Sequence, residues 1–129
     1  KDRFSYQRDD GDPLGVGGDL RGVSAREAHD ATLATDYPDS VVQIARLAGS
    51  ARCGDIVLSA RRDWDFRARY EPIPHVSSHR ALHRDHMIVP LLLVRPPSKK
   101  PRRTADVFPS ALEALVVPIP RGLDGESFI

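Results

Sequence analysis

Two short, uniformly apolar runs constrain the fold of this chain more than any other feature. The first covers residues 56–60 and the second covers residues 87–94. A strand that is apolar at every position, rather than at alternate positions, is typical of a sheet covered by helices on both faces. We therefore predict that both runs are buried strands of an α/β protein. Because two strands make a poor sheet by themselves, the pattern favours a fragment of a larger domain.

Three helices are predicted around these strands. Ser24 and Glu27 fit a capping box that starts a helix over residues 24–35. A second short helix is predicted over residues 39–49, with an Asp cap at its start and Gly at its end. Apolar residues at helical spacing predict a third helix over residues 104–115.

Composition divides the chain into three parts. Residues 1–23 are rich in Asp, Arg and Gly and lack apolar periodicity, so we expect a flexible or irregular N-terminal segment. Residues 24–120 are expected to form one partial α/β hydrolase-type domain, because a chain of 129 residues favours a single domain. Residues 121–129 are expected to be a tail.

Charge and cysteine content exclude several classes of protein. The net charge is +1, and the arginines are interleaved with aspartates, which does not favour a nucleic-acid-binding surface. The longest apolar run is too short to span a bilayer and no signal peptide is visible, so no membrane association is expected. Cys53 is the only cysteine, which favours a reducing compartment and predicts a cytoplasmic location.

Four of the five histidines lie close together, just before the second apolar run. Neutral imidazole is a good zinc ligand. If this stretch were helical, His79, His83 and His86 would share one face and could hold zinc with one position open for water. Such a water would be acidified towards neutral pH and could attack a phosphate ester. Arg80 and Arg84 could hold the phosphate oxygens.

The alternative interpretation makes His83 and His86 surface residues, or residues that support a ligand from behind. Metal motifs carry a high rate of false matches, which favours this alternative for these two histidines. Asp85 has two possible roles. It either orients a neighbouring histidine through the second ring nitrogen or pairs with Arg84.

Four segments, taken in order, carry a family resemblance: residues 54–60, 78–79, 89–92 and 103–112. They resemble the C-terminal part of the alkaline phosphatase superfamily, and most closely its type I phosphodiesterase and nucleotide pyrophosphatase-like hydrolases. In that pattern a strand is followed by Gly-x-His-Gly. A strand with Val-Pro-Leu comes next, and then a helix that opens with Thr-x-Asp-x-x-Pro-Thr. The resemblance covers roughly residues 36–120.

The resemblance implies a doubly wound sheet whose C-terminal edge holds two divalent metals, commonly zinc. A Thr or Ser nucleophile attacks phosphorus in such enzymes, and a phosphate ester would be the substrate. His79 matches the histidine of Gly-x-His-Gly and would be one metal ligand. The nucleophile and the remaining ligands come from earlier segments of these enzymes, so the isolated chain is expected to be inactive.

Two positions depart from the family pattern. Arg80 and Val116 stand where the family has glycines with backbone roles. These departures leave open a second hypothesis, a non-catalytic remnant or interaction module with the same partial fold. Such a module is expected to self-associate through an exposed sheet edge.

Overall fold

The computed structural model describes residues 2–64, 66 and 81–129. They belong to two compact units, residues 2–89 and residues 90–129. The first unit contains strands β1 (Phe4–Tyr6) and β2 (Leu20–Val23) and helices α1 (Ala25–Thr32), α2 (Ser40–Ala48) and α3 (Arg84–Met87). The second contains a 3-10 turn (Thr104–Asp106) and helix α4 (Val107–Ala114). The chain thus mixes helices and strands, as predicted, and no helix in its described part is long and apolar enough to cross a membrane.

An antiparallel hairpin occupies the N-terminal segment, which was predicted to be irregular. Phe4 of β1 lies opposite Val23 of β2, and Tyr6 lies opposite Leu20, with an irregularity in the register between these pairs. Strands of three and four residues are too short for apolar alternation to identify them in the sequence. The hairpin is specified instead by the loop between its strands.

Asp12 organises that loop. Its carboxylate accepts hydrogen bonds from the amide of Gly17 at 2.6 Å, the amide of Val16 at 3.1 Å and the hydroxyl of Tyr6 at 3.0 Å. Donors that favour the charged carboxylate lower its pKa. The Gly17 amide contributes most, and it holds the pKa of Asp12 below its ordinary value.

Helix α1 begins with the predicted capping box. The Ser24 hydroxyl accepts the Glu27 amide at 3.3 Å, and the Glu27 carboxylate accepts the Ser24 amide at 2.7 Å. Two of the amides that a helix start leaves without partners are thereby satisfied. The prediction of this helix is confirmed, although it ends at Thr32, slightly earlier than expected.

Helix α2 is also confirmed, and Gly49 is its C-terminal cap as predicted. Asp39 stands at the N-cap position, but its side chain makes no capping bond and its backbone is left-handed, with φ of 62°. Both helices pack on the hairpin around a small apolar core. That core consists of Phe4, Ala25, Ala28, Val41 and Val42.

Neither apolar run forms a strand, so both strand predictions are wrong. Residues 56–60 carry neither helix nor strand. In the second run, Met87 ends α3, and Leu92 and Val94 are 94% and 103% exposed. A strand needs a neighbouring strand for its amides and carbonyls, and in the described part of the chain the only pairing is β1 with β2. The predicted doubly wound sheet is therefore not present among these residues.

The unit of residues 90–129 is built around the start of α4. Pro109 lies in the first turn of this helix, as predicted, and is fully buried. Asp106, just before the helix, is 2% exposed. Its carboxylate accepts the amides of Arg102 and Arg103 at 3.1 Å each and that of Glu126 at 2.9 Å.

The last residues dock on this helix start rather than forming a free tail. The Ser110 hydroxyl donates to the Asp106 carbonyl at 2.7 Å and accepts the Phe128 amide at 3.0 Å. The Phe128 carbonyl in turn accepts the Ser98 amide at 2.8 Å. Gly125 passes so close to the turn that a Cβ there would lie 1.9 Å from the carbonyl oxygen of Ala105.

Val116, two residues after the end of α4, carries backbone strain. The amide of Val116 donates to the Glu113 carbonyl at 3.0 Å, and the amide of Val117 donates to the Leu112 carbonyl at 2.9 Å. This closure puts Val116 in the left-handed region, with φ of 57°. A β-branched residue is unfavourable there. Val116 stands where the resembled family has glycine, and the backbone at this position has the conformation that favours glycine.

Gly125→Ala tests the close approach of the tail. We expect it to destabilise the 90–129 unit by about 1–3 kcal/mol, because the new methyl group overlaps a backbone carbonyl that cannot move freely. Hydrogen exchange at the Phe128 amide and thermal unfolding would measure the loss. Gly18→Ala is the matched control, since a Cβ at Gly18 meets nothing within 4 Å. Equal behaviour of the two variants would contradict the docking.

The lowered pKa of Asp12 predicts a pH dependence of stability. A carboxyl whose pKa is lowered by folding stabilises the fold above its unfolded-state pKa, and this contribution is lost as the pH falls through the lower, folded-state pKa. Asp12→Asn should therefore be less stable than the parent at neutral pH, and the difference should shrink on acidification. Urea unfolding at a series of pH values measures it. Asp10→Asn, which removes the same charge from the same loop, is the matched control.

Candidate functional site

Two of the three candidate zinc ligands, His83 and His86, lie among the described residues. His79 and Arg80 lie outside them, as does His75. The assignment of His79 as a metal ligand therefore stays a prediction.

His83 and His86 do not lie on one continuous helix. Helix α3 begins at Arg84, and His83 is its N-cap residue in extended conformation, with φ of −64° and ψ of 144°. The helix that would place the three histidines on one face is therefore wrong for residues 81–83, which are not helical.

Each of these imidazoles accepts a hydrogen bond from the backbone. His83 Nδ1 accepts the amide of Asp85 at 3.3 Å, and His86 Nδ1 accepts the amide of Ala81 at 3.2 Å. The His83 ring also meets the Tyr37 ring edge-on, with 6.0 Å between centroids. Both histidines thus take part in the local folding of this loop.

Asp85 pairs with an arginine other than the predicted one. Its Oδ2 atom lies 3.2 Å from Nε of Arg62 and 3.7 Å from Nδ1 of His83. The Arg62 and Asp85 side chains are largely solvated, at 67% and 49% exposure, so this ion pair contributes about 0–1 kcal/mol. The pairing with Arg84, one of the two roles predicted for Asp85, is not found among the described contacts.

Arg84 binds the backbone beyond the end of α1. Its Nε atom donates to the Thr35 carbonyl at 3.1 Å, and its guanidinium also donates to the Leu33 carbonyl. Its amide donates to the Asp36 carbonyl at 2.7 Å. Carbonyls at a helix C-terminus lack partners within the helix, and arginine satisfies them well. The predicted role of Arg84 in holding phosphate is therefore not supported by the contacts of its side chain.

The described residues do not fit the two-metal site that the resemblance implies. Within residues 2–64, 66 and 81–129, no three His, Cys, Asp or Glu side chains lie close enough together to hold a metal ion. Zinc takes three protein ligands at catalytic sites and four at structural sites. We therefore derive no metal-dependent step from these side chains.

A second polar cluster, between α1 and α2, was not predicted. His29 Nδ1 lies 3.3 Å from Asp39 Oδ1, and the Asp39 amide donates to the Thr32 hydroxyl at 2.8 Å. His29, Thr32 and Ser40 are at most 4% exposed. In the sequence His29 stands beside Asp30. In the structure its ring lies against Asp39, the residue just before α2.

A sequence signal for this cluster does exist. His29 and Thr32 fall on the same face of α1 as the buried alanines, which is the face that packs against α2. A polar side chain on that face needs a partner from the neighbouring element. Because the cluster is closed to solvent, its contribution is to folding rather than to binding a ligand.

Comparison of the chain with protein-family models, with curated proteins and with solved structures finds no match.

Proposed function

We propose that this chain is the C-terminal segment of a metal-dependent hydrolase of the alkaline phosphatase type, acting on phosphate esters. In this proposal His79 contributes one ligand to a divalent metal, with zinc the first candidate, and the nucleophile comes from polypeptide outside the chain. The sheet of the whole enzyme would be doubly wound, and the location of the enzyme cytoplasmic.

The start of α4 is the observation that carries this proposal. Residues 104–110 resemble the family motif Thr-x-Asp-x-x-Pro-Thr, which opens a helix. In the structure it does open a helix, with Asp106 and Pro109 buried at the start. Asp106 holds the turn through three backbone amides, which gives the motif a physical role.

The exposure of the apolar runs also supports a fragment. Ile56 and Leu58 are 78% and 70% exposed, and Leu92 is more exposed still. Exposed aliphatic residues in series are rare on complete proteins and mark surfaces that pack against other polypeptide. Additional strands of a larger sheet would cover them and would satisfy their backbone groups.

A phosphodiesterase assay with added zinc tests the proposal. The isolated chain should hydrolyse bis(p-nitrophenyl) phosphate no faster than buffer, whereas a longer polypeptide that includes the sequence preceding Lys1 should be active. In that longer protein, His79→Ala should lower the zinc-dependent rate by at least about 100-fold, since even residues behind a metal ligand contribute 10–100-fold.

His75→Ala in the longer protein, at a histidine to which no metal or positioning role is assigned, is the matched control and should retain most of the rate. Two results would contradict the proposal. One is robust turnover by the isolated chain that His79→Ala abolishes. The other is a longer protein whose activity is indifferent to His79.

A non-catalytic interaction module is the second candidate, and the strain at Val116 together with the exposed run favours it. Residues 91–94 are all aliphatic and all exposed. Such a module would associate with another polypeptide through this run. The proposed hydrolase and the proposed module differ in catalysis, but both require a partner surface for these residues.

Sedimentation velocity over a range of concentrations tests the module. We expect the isolated chain to self-associate reversibly, and Leu92→Lys to shift it towards the monomer, because a charge placed in an apolar contact opposes its burial. Leu115→Lys makes the same change at a leucine outside the run that is 71% exposed. A chain that stays monomeric at high concentration would count against the module.

A further inference from the structure

We propose that His83, Arg84 and His86 form a structural bracket that fixes the loop from Ala81 onwards, two residues after His79, with both imidazoles protonated at Nε2 and neither bound to metal. The hydrogen bonds of the bracket are independent of any activity. Its link to His79 as a metal ligand rests on the function proposed above.

The hydrogen bonds determine where the ring protons lie. In a neutral imidazole one nitrogen carries a proton and donates, and the other accepts. Nδ1 of His83 and Nδ1 of His86 each accept a backbone amide. The proton of each ring must therefore be on Nε2, which leaves no lone pair there for a metal.

The carboxylate of Asp85 does not change this assignment. If Nδ1 of His83 were protonated, it would donate to Asp85 Oδ2, but these atoms are 3.7 Å apart. That distance is beyond a hydrogen bond, whereas the amide of Asp85 lies 3.3 Å from the same nitrogen. The amide contact is the stronger of the two and selects the Nε2–H form.

Metal binding by either ring would break the bracket. Coordination through Nε2 requires the proton to move to Nδ1, which would set a ring N–H against a backbone N–H. Coordination through Nδ1 would displace the amide directly. Each ring therefore serves either the backbone or a metal, and the local contacts favour the backbone.

Arg84 anchors the same loop to the packed part of its unit. Its guanidinium donates to the carbonyls of Leu33 and Thr35, and its amide donates to that of Asp36. The planar fork of donors suits two carbonyls at once, which a lysine cannot reproduce. We assign Arg84 as a positioning residue for the loop rather than as a phosphate ligand.

Long-range proton–nitrogen NMR correlation on the full chain near pH 8 tests the ring protons directly. We expect the Nε2–H pattern for both His83 and His86, identified by loss of the corresponding signals in His83→Asn and His86→Asn. Added zinc should leave both patterns unchanged. An Nδ1–H pattern at either ring, or loss of the pattern on adding stoichiometric zinc, would overturn the proposal.

Thermal unfolding of matched variants provides the second measurement. His83→Ala should lower the midpoint by about 4–8 °C, because the cap of α3 is lost, and His83→Asn should restore most of it, since asparagine accepts the same amide. Arg84→Lys should lower the midpoint about as much as Arg84→Ala, because lysine lacks the planar set of donors that contacts two carbonyls. Equal midpoints for the alanine variants and the parent would overturn the bracket.

These results separate the bracket from the proposed hydrolase. An inactive longer protein with Nε2–H rings contradicts the hydrolase and leaves the bracket intact. An active longer protein in which zinc displaces the His83 or His86 proton contradicts the bracket and leaves the hydrolase intact.

Discussion

The hydrogen bond from the Asp39 amide to the Thr32 hydroxyl is the contact on which the larger unit depends. Thr32 is fully buried at the end of α1, and its hydroxyl also donates to the carbonyl of Ala28 at 3.0 Å. One side chain therefore ends α1 and fixes the backbone just before α2. This joint holds Asp39 in a left-handed conformation, at a cost of order 1 kcal/mol that burial of the surrounding residues must offset. It also brings the Asp39 carboxylate to His29.

The order of the histidine loop follows from this joint. Because α1 ends at Thr32, the carbonyls of the next residues have no amide of this helix as partner and need other donors. Arg84 supplies them from a distant part of the chain, and α3 begins at that same residue. The positions of His83 and His86 are thus set by how a helix ends about fifty residues earlier. For His83 and His86, the two described members of the cluster, the ring contacts are with backbone amides.

Features with a local cause could be predicted from the sequence, and features that need a distant partner could not. The capping box of Ser24 and Glu27 involves residues in one turn, so the residue types at these positions are sufficient to predict it. The apolar runs indicate burial, but nothing in them identifies the strand that would pair with them, and both were assigned wrongly. The hairpin was missed for the related reason that Asp12 specifies it through a loop. Similarly, the clustering of histidines was visible, but the contacts of Arg84 with carbonyls about fifty residues earlier, which hold the same loop, were not.

The balance of buried and exposed side chains links the two functional proposals. In the described part of the chain, the apolar core of the first unit has five residues, while Leu92, Val94 and many other large apolar side chains are exposed. Covering an aliphatic side chain contributes about 1.5–3 kcal/mol, so covering even the 91–94 run is comparable with the total stability of a small domain. In both proposals, further hydrophobic stabilisation comes from other polypeptide that packs on this run. A hydrolase segment and an interaction module share this requirement, and they differ only in whether the covering polypeptide also brings a nucleophile.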